Sequence, residues 1–170
     1  IQLVAIEKGY PYYGKLVLGN KKDANAKMVE QELINAGKIW VYRELLITLG
    51  LEIGDRLKLG ELDFTIGDIV LEDPSSSFST FGVAPRIYIG LPQVRKTGLL
   101  TQKSRINYDN LYKLSNYQEI QKLEDELENK IKIIWNSNER IRVRTNEDAS
   151  ENMGRVLGYL NDYLGLIALI

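Results

Sequence analysis

The chain contains no histidine and no cysteine, so its chemistry is limited to carboxylates, amines, guanidiniums, hydroxyls and phenols. That excludes disulfides, thiol nucleophiles, zinc sites built on cysteine or histidine, and every histidine-based acid–base mechanism. Gly54 with Asp55 and Gly67 with Asp68 place two carboxylates that general acid–base chemistry could use. Turn chemistry accounts for both, because aspartate beside glycine suits a tight change of direction. No serine nucleophile elbow, phosphate-binding loop or metal-ligand spacing occurs. An enzyme is therefore not expected, and neither are catalytic residues, a metal or a cofactor. Arg140, Arg142 and Arg144 alternate with Ile141 and Val143, so one strand would present its guanidiniums on a single face. Such a row serves either as an anion-binding ridge or as the wet side of a strand paired with nearby acids.

The remaining functional signal is aromatic. Tyr10, Tyr12 and Tyr13 crowd the stretch GYPYYG at 9–14, while Phe78 and Phe81 interrupt the polar stretch EDPSSSFSTFG at 72–82. Exposed aromatics on loops either fold back on their own domain or dock on a partner. Tyr12, Tyr13, Phe78 and Phe81 are the candidate partner contacts.

The elements that must position these residues belong to an ordinary globular protein. With 44% hydrophobic and 26% charged residues the chain can bury a core. A net charge of −1 provides no global field for nucleic acid or an anionic membrane surface. The chain starts at Ile1 without methionine or a signal-peptide pattern, which leads us to expect a fragment of a longer or processed protein. No complete transmembrane span is expected, since that needs roughly 20 mostly apolar residues in a row.

Short strands are expected at 1–6 and 15–18, on either side of the tyrosine-rich turn, with a polar loop over 20–27. A helix over 26–37 ends at Gly37, a strand follows at 38–41, and a helix over 44–49 ends at Gly50. From Leu51 the pattern turns to β. Leu57 and Leu59, then Leu62, Phe64 and Ile66, alternate on either side of Gly60 and Glu61, which predicts a hairpin. Ile69 and Leu71 fall out of step with Ile66, so an extra residue at 67–68 predicts a bulge. Ile87, Ile89 and Leu91 alternate with Arg86, Tyr88 and Gly90, the period of a half-buried strand. Pro92 then opens a short helix in which Val94, Leu99 and Leu100 face inward and Gly98 lies near the end. A second strand is expected at 104–108.

Ser115 with Gln118 fits a capping box. The helix behind it carries Tyr117, Ile120, Leu123, Leu127, Ile131 and Ile134 on one face, and Glu126 with Lys130 and Glu128 with Lys132 on the other. The last segment, 152–170, begins as an amphipathic helix with Met153, Val156, Leu157, Leu160 and Leu164 on one stripe. Its end, LGLIALI at 164–170, has no polar side chain. A helix apolar all round must be buried in a core or in lipid, and a helix leaving a soluble domain for a bilayer explains both halves.

Several motifs resemble the YbbP-type ABC-transporter permeases, part of the wider MacB/LolC/FtsX-like group. They are YPYYG at 10–14; Leu49, Gly50 and Leu51 followed by Gly54, Asp55, Leu59 and Gly60; Pro85 with Arg86; Thr97, Gly98, Leu99 and Leu100; Ser104 and Arg105 with Tyr108; and Arg144 with Thr145 ahead of a helix from Ser150. The chain departs from that pattern at Ala84, where a glycine is usual, and at Asn107 and Asp109. The resemblance implies an α+β fold like the MacB periplasmic core domain, with a mixed-sheet βαβ lobe and a smaller, mostly β lobe around 51–82. It implies one extracytoplasmic domain over 1–170, with a C-terminal helix at 150–170 leading towards a transmembrane span. By the same resemblance the domain sits on the periplasmic side of the bacterial inner membrane. A cytoplasmic ABC ATPase would move it through the membrane part of a permease dimer, with a periplasmic partner protein and an amphiphilic substrate (a lipid, lipoprotein or peptide). No nucleic acid is involved. The alternative from the sequence is a stand-alone soluble lipid- or peptide-binding module, in which 164–170 folds back on the body.

Overall fold

A computed structural model describes residues 1–12, 14–19, 23–73, 84–112, 120–134 and 143. The chain divides into two compact units, Ile1–Tyr112 and Lys113–Ile170. The first holds a six-stranded mixed sheet: β1 (Gln2–Ile6), β2 (Val17–Leu18), β3 (Lys38–Tyr42), β4 (Arg56–Leu59), β5 (Leu62–Glu72) and β6 (Arg86–Gly90). Strand order is β1-β6-β3-β5-β2, with β4 pairing β5 as well. β1 runs parallel to β6 and β3 parallel to β5, whereas β6 is antiparallel to β3. The expected α+β class with a mixed sheet is therefore observed. The hairpin of β4 and β5 belongs to this same sheet.

Local chemistry explains most element ends. Asn25 caps α1 (Ala26–Val29), its side chain accepting from the Met28 amide at 3.0 Å. The helix widens into a π turn over Glu30–Asn35 and stops where Gly37 takes φ +62°. The β3 strand feeds directly into α2 (Arg43–Leu49), which Gly50 ends in the left-handed conformation. Since β5 lies beside β3 and parallel to it, α2 and β4 lie within a βαβ-type crossover.

The sheet is covered on both faces. On one side Ile6, Leu16, Leu18, Val29, Leu33, Trp40, Val70 and Tyr88 pack with α1 and the π turn. On the other, Ile39, Val41, Phe64, Ile66, Ile87 and Ile89 pack with Leu45 and Leu46 of α2 and Val94 of α3 (Leu91–Val94). Each fully buried large side chain contributes roughly 1.5–3 kcal/mol. The bulge lies where the sequence put it: Ile39 pairs Ile66 but Trp40 pairs Asp68, so Gly67 is the extra residue. That residue lets Ile66 and Ile69 face one side while Val70 faces the other. The hairpin turn is held from outside. The Glu61 amide donates to the Thr97 carbonyl at 2.9 Å, and a Cβ on Gly60 would stand 2.1 Å from that oxygen.

Three expectations need correction. The β6 strand is buried along its whole length, not half-buried. Its alternate face carries Tyr88 inside the core, Arg86 in an ion pair, and Gly90, where a Cβ would stand 2.6 Å from the Leu33 carbonyl. The helix after Pro92 is a single turn ending at Val94, and Leu99 and Leu100 are exposed, not inward-facing. Thr97 explains this, because its buried hydroxyl accepts from the Leu99 amide and donates to the Val94 carbonyl, turning the chain out. Residues 104–108 do not form a strand; Ser104 instead bonds back to Leu99 and Thr101.

The second unit contains α4 (Ile120–Ile134), the expected amphipathic helix. On it Leu123 and Ile131 are half-buried and Leu127 is exposed. The capping box at 115–118, the arginine row at 140–144 as a set, and the helix at 150–170 lie outside the described residues. Among the described residues no helix is long and apolar enough to cross a membrane.

Candidate functional site

Because β6 runs against β3 and β5, it starts at the end of the sheet where they finish, and β1 starts beside it. Four strands therefore deliver polar side chains to one place. Gln2 comes from the start of β1, Tyr42 from the end of β3, Asp73 from just past β5, and Arg86 and Tyr88 from β6. Tyr10 reaches in from the tyrosine-rich turn.

Asp73 is the centre of this cluster. Its carboxylate is only 5% exposed and accepts from Tyr10 Oη at 2.5 Å, from Tyr88 Oη at 2.6 Å and from Arg86 Nη1 at 3.3 Å. Arg86, equally buried, also donates through Nε to Gln2 Oε1 at 3.1 Å. Tyr88 has one hydroxyl proton. With that proton on Asp73, its 3.3 Å contact with Tyr42 has the Tyr42 hydroxyl donating. The Tyr42 and Tyr88 rings lie 5.9 Å apart, tilted by 35°.

The electrostatics favour holding over reacting. Burial, followed by the charge and hydrogen bond of Asp73, pushes the Tyr88 phenol far above its ordinary value of 10.0. Burial opposes the charge on Arg86, but the Tyr88 and Tyr42 oxygens and the Asp73 carboxylate outweigh it, so its pKa rises. Neither side chain changes protonation near neutral pH. A buried carboxylate shared by two phenols and a guanidinium is a charge-assisted tie between chain segments.

The candidates from sequence are placed elsewhere. Asp55 is exposed and accepts from the Glu52 amide at 2.8 Å, which is turn chemistry as expected. Asp68 is buried at the bulge, where Oδ1 accepts from the Ile69 amide at 2.8 Å. Tyr12 is 43% exposed, its hydroxyl 3.4 Å from the Lys8 carbonyl. Tyr13, Phe78 and Phe81 lie outside the described residues. Among the described residues no group of three or more acidic side chains could hold a metal ion.

Sequence reasoning missed Asp73, which sits at the edge of the polar stretch and has no motif of its own. The available signal was indirect. Tyr10 and Arg86 belong to two of the motifs carrying the family resemblance, and the structure brings both onto the same carboxylate.

No protein-family model matches the chain, and no solved structure matches it. Over 104 residues, 61% of its length, it is 30% identical to a protein described as an uncharacterized ABC transporter permease, YbbP, of Escherichia coli (strain K12). The chain spans only 12% of that protein. This partial match supports a permease-related family.

Proposed function

We propose that the chain is a non-catalytic extracytoplasmic domain of an ABC-transporter permease, with the MacB-like core architecture. It stands on the periplasmic side of the inner membrane, and its C-terminal helix at 150–170 leads to a membrane span. Its β-rich region, around 51–82, supplies β4 and β5 to the six-stranded sheet. A cytoplasmic ATPase hydrolyses ATP, and the membrane helices of a permease dimer carry the resulting movement to this domain. The movement exports or extracts an amphiphilic substrate such as a lipid, lipoprotein or peptide. Tyr12, Tyr13, Phe78 and Phe81 provide the contact with a periplasmic partner protein.

The observation that carries this reading is the 30% identity to a permease over 104 residues. Its test is purification of the tagged full-length gene product from membranes. An ABC-type ATPase should accompany it, and ATP turnover of the complex should respond to deletion of residues 1–170. Recovery of the protein in the soluble fraction with no ATPase attached would overturn the reading.

A further inference from the structure

The 7–16 segment carries Tyr12 on the surface and is rooted at Leu16, which is buried in the core and accepts from the Ala24 amide at 2.7 Å. Lys8 pairs with Glu30 at 2.7 Å and Lys15 with Asp23 at 2.8 Å, but both lysines are more than 70% exposed. Exposed ion pairs of this kind stabilise little. The Tyr12 hydroxyl only reaches the Lys8 carbonyl inside the same segment. The bond from Tyr10 to Asp73 differs, because it spans 63 positions and ends on a buried, charged acceptor.

We propose that Asp73 is a positioning residue: through Tyr10 it fixes the 7–16 segment, and with it the exposed Tyr12 ring, against the sheet end where β5 leaves and β6 enters. One carboxylate then sets two things together. Its Oδ1 holds the tyrosine-rich turn, while Oδ2 holds Arg86 and Tyr88, and Arg86 in turn holds Gln2 at the start of β1. A partner meeting Tyr12 finds a surface that is already ordered, so less conformational freedom is lost on docking. What Tyr12 meets rests on the contact proposed above. The anchoring itself is independent of it and can be tested without a partner.

The test is hydrogen exchange resolved along the chain, at neutral pH, for the protein and its Tyr10→Phe and Asp73→Asn variants. Tyr10→Phe keeps the ring and removes only the donor. It should speed exchange of the 7–16 amides by roughly tenfold or more, the scale of one lost hydrogen bond to a charged group, and leave β1, β6, α2 and the hairpin unchanged. Asp73→Asn should release the 7–16 amides together with the starts of β1 and β6. Unchanged exchange in Tyr10→Phe, or an even rise across all strands, would overturn the proposal. The Tyr10→Phe arm decides the matter even where Asp73→Asn fails to fold. Failure here leaves the permease reading standing, since copurification of an ATPase does not depend on it.

Discussion

Asp73 and Arg86 illustrate why a buried charge is tolerated only in company. Replacing Arg86 with methionine keeps most of the volume but takes the guanidinium away from the buried carboxylate. The expected loss is about 3–5 kcal/mol, read from urea denaturation. Asp73→Asn removes the charge that needs the cation, so the double variant should recover about 1–3 kcal/mol relative to additivity. Strict additivity would mean that the 3.3 Å contact between them contributes nothing. Gly60 tests a different kind of constraint. It has φ +63°, and any side chain there would run into the Thr97 carbonyl at 2.1 Å. Gly60→Ala should cost at least about 2 kcal/mol, seen as a lower urea midpoint with unchanged slope. Gly50 also has positive φ but nothing within 4 Å, so Gly50→Ala should cost clearly less, and equal losses would refute the steric account.

Among the elements, the long strand β5 was the most legible. Its alternation, its opening glycine turn and its change of parity are local properties, written in side chains one or two positions apart. Deleting Gly67 is the corresponding experiment. Without the extra residue, Asp68 follows Ile66 in regular alternation against β3, so Ile69 and Val70 keep their faces and their clusters. The expected outcome is a retained cooperative thermal transition by circular dichroism, with a loss of no more than about 3 kcal/mol. A deletion variant that loses the cooperative transition would show that Gly67 is not simply an extra residue in the ladder. The strand β6 was legible as a strand but not as a central one. Its alternation resembles that of an edge because Arg86 and Gly90 read as surface residues until their partners on other strands are known. The segment 104–108 failed for the complementary reason: it has strand-like spacing, but Ser104 bonds locally and no ladder forms over it.

For the molecule as a whole, the tyrosine cluster predicts how stability depends on pH. In the unfolded chain Tyr88 ionises near its ordinary value of 10.0, whereas in the folded protein burial and Asp73 keep it protonated far above that. Above pH 10 the unfolded state therefore binds fewer protons than the folded state, and stability falls by about 1.4 kcal/mol per pH unit for this group. Below pH 10 the contribution is fully present. The raised Arg86 value acts in the same direction at still higher pH. Urea midpoints at about pH 8 and about pH 11 should show the drop, and Tyr88→Phe should remove its share. An equal drop in Tyr88→Phe would assign the alkaline sensitivity to other groups.

The absence of histidine and cysteine, the alternation of the strands, the glycine stops and the bulge follow from neighbouring residues, and reading them needs nothing beyond the chain. The class of fold and the exclusion of histidine and thiol chemistry rest on them. The order of strands, the burial of β6 on both faces and the meeting of Gln2, Tyr10, Tyr42, Asp73, Arg86 and Tyr88 rest on tertiary structure. Those residues come from five separate stretches of chain, and each taken singly reads as a loop or surface residue. Only the placement of β6 between β1 and β3, parallel to the first and antiparallel to the second, brings them to one end of the sheet, where exclusion of water makes a shared carboxylate strong enough to hold them.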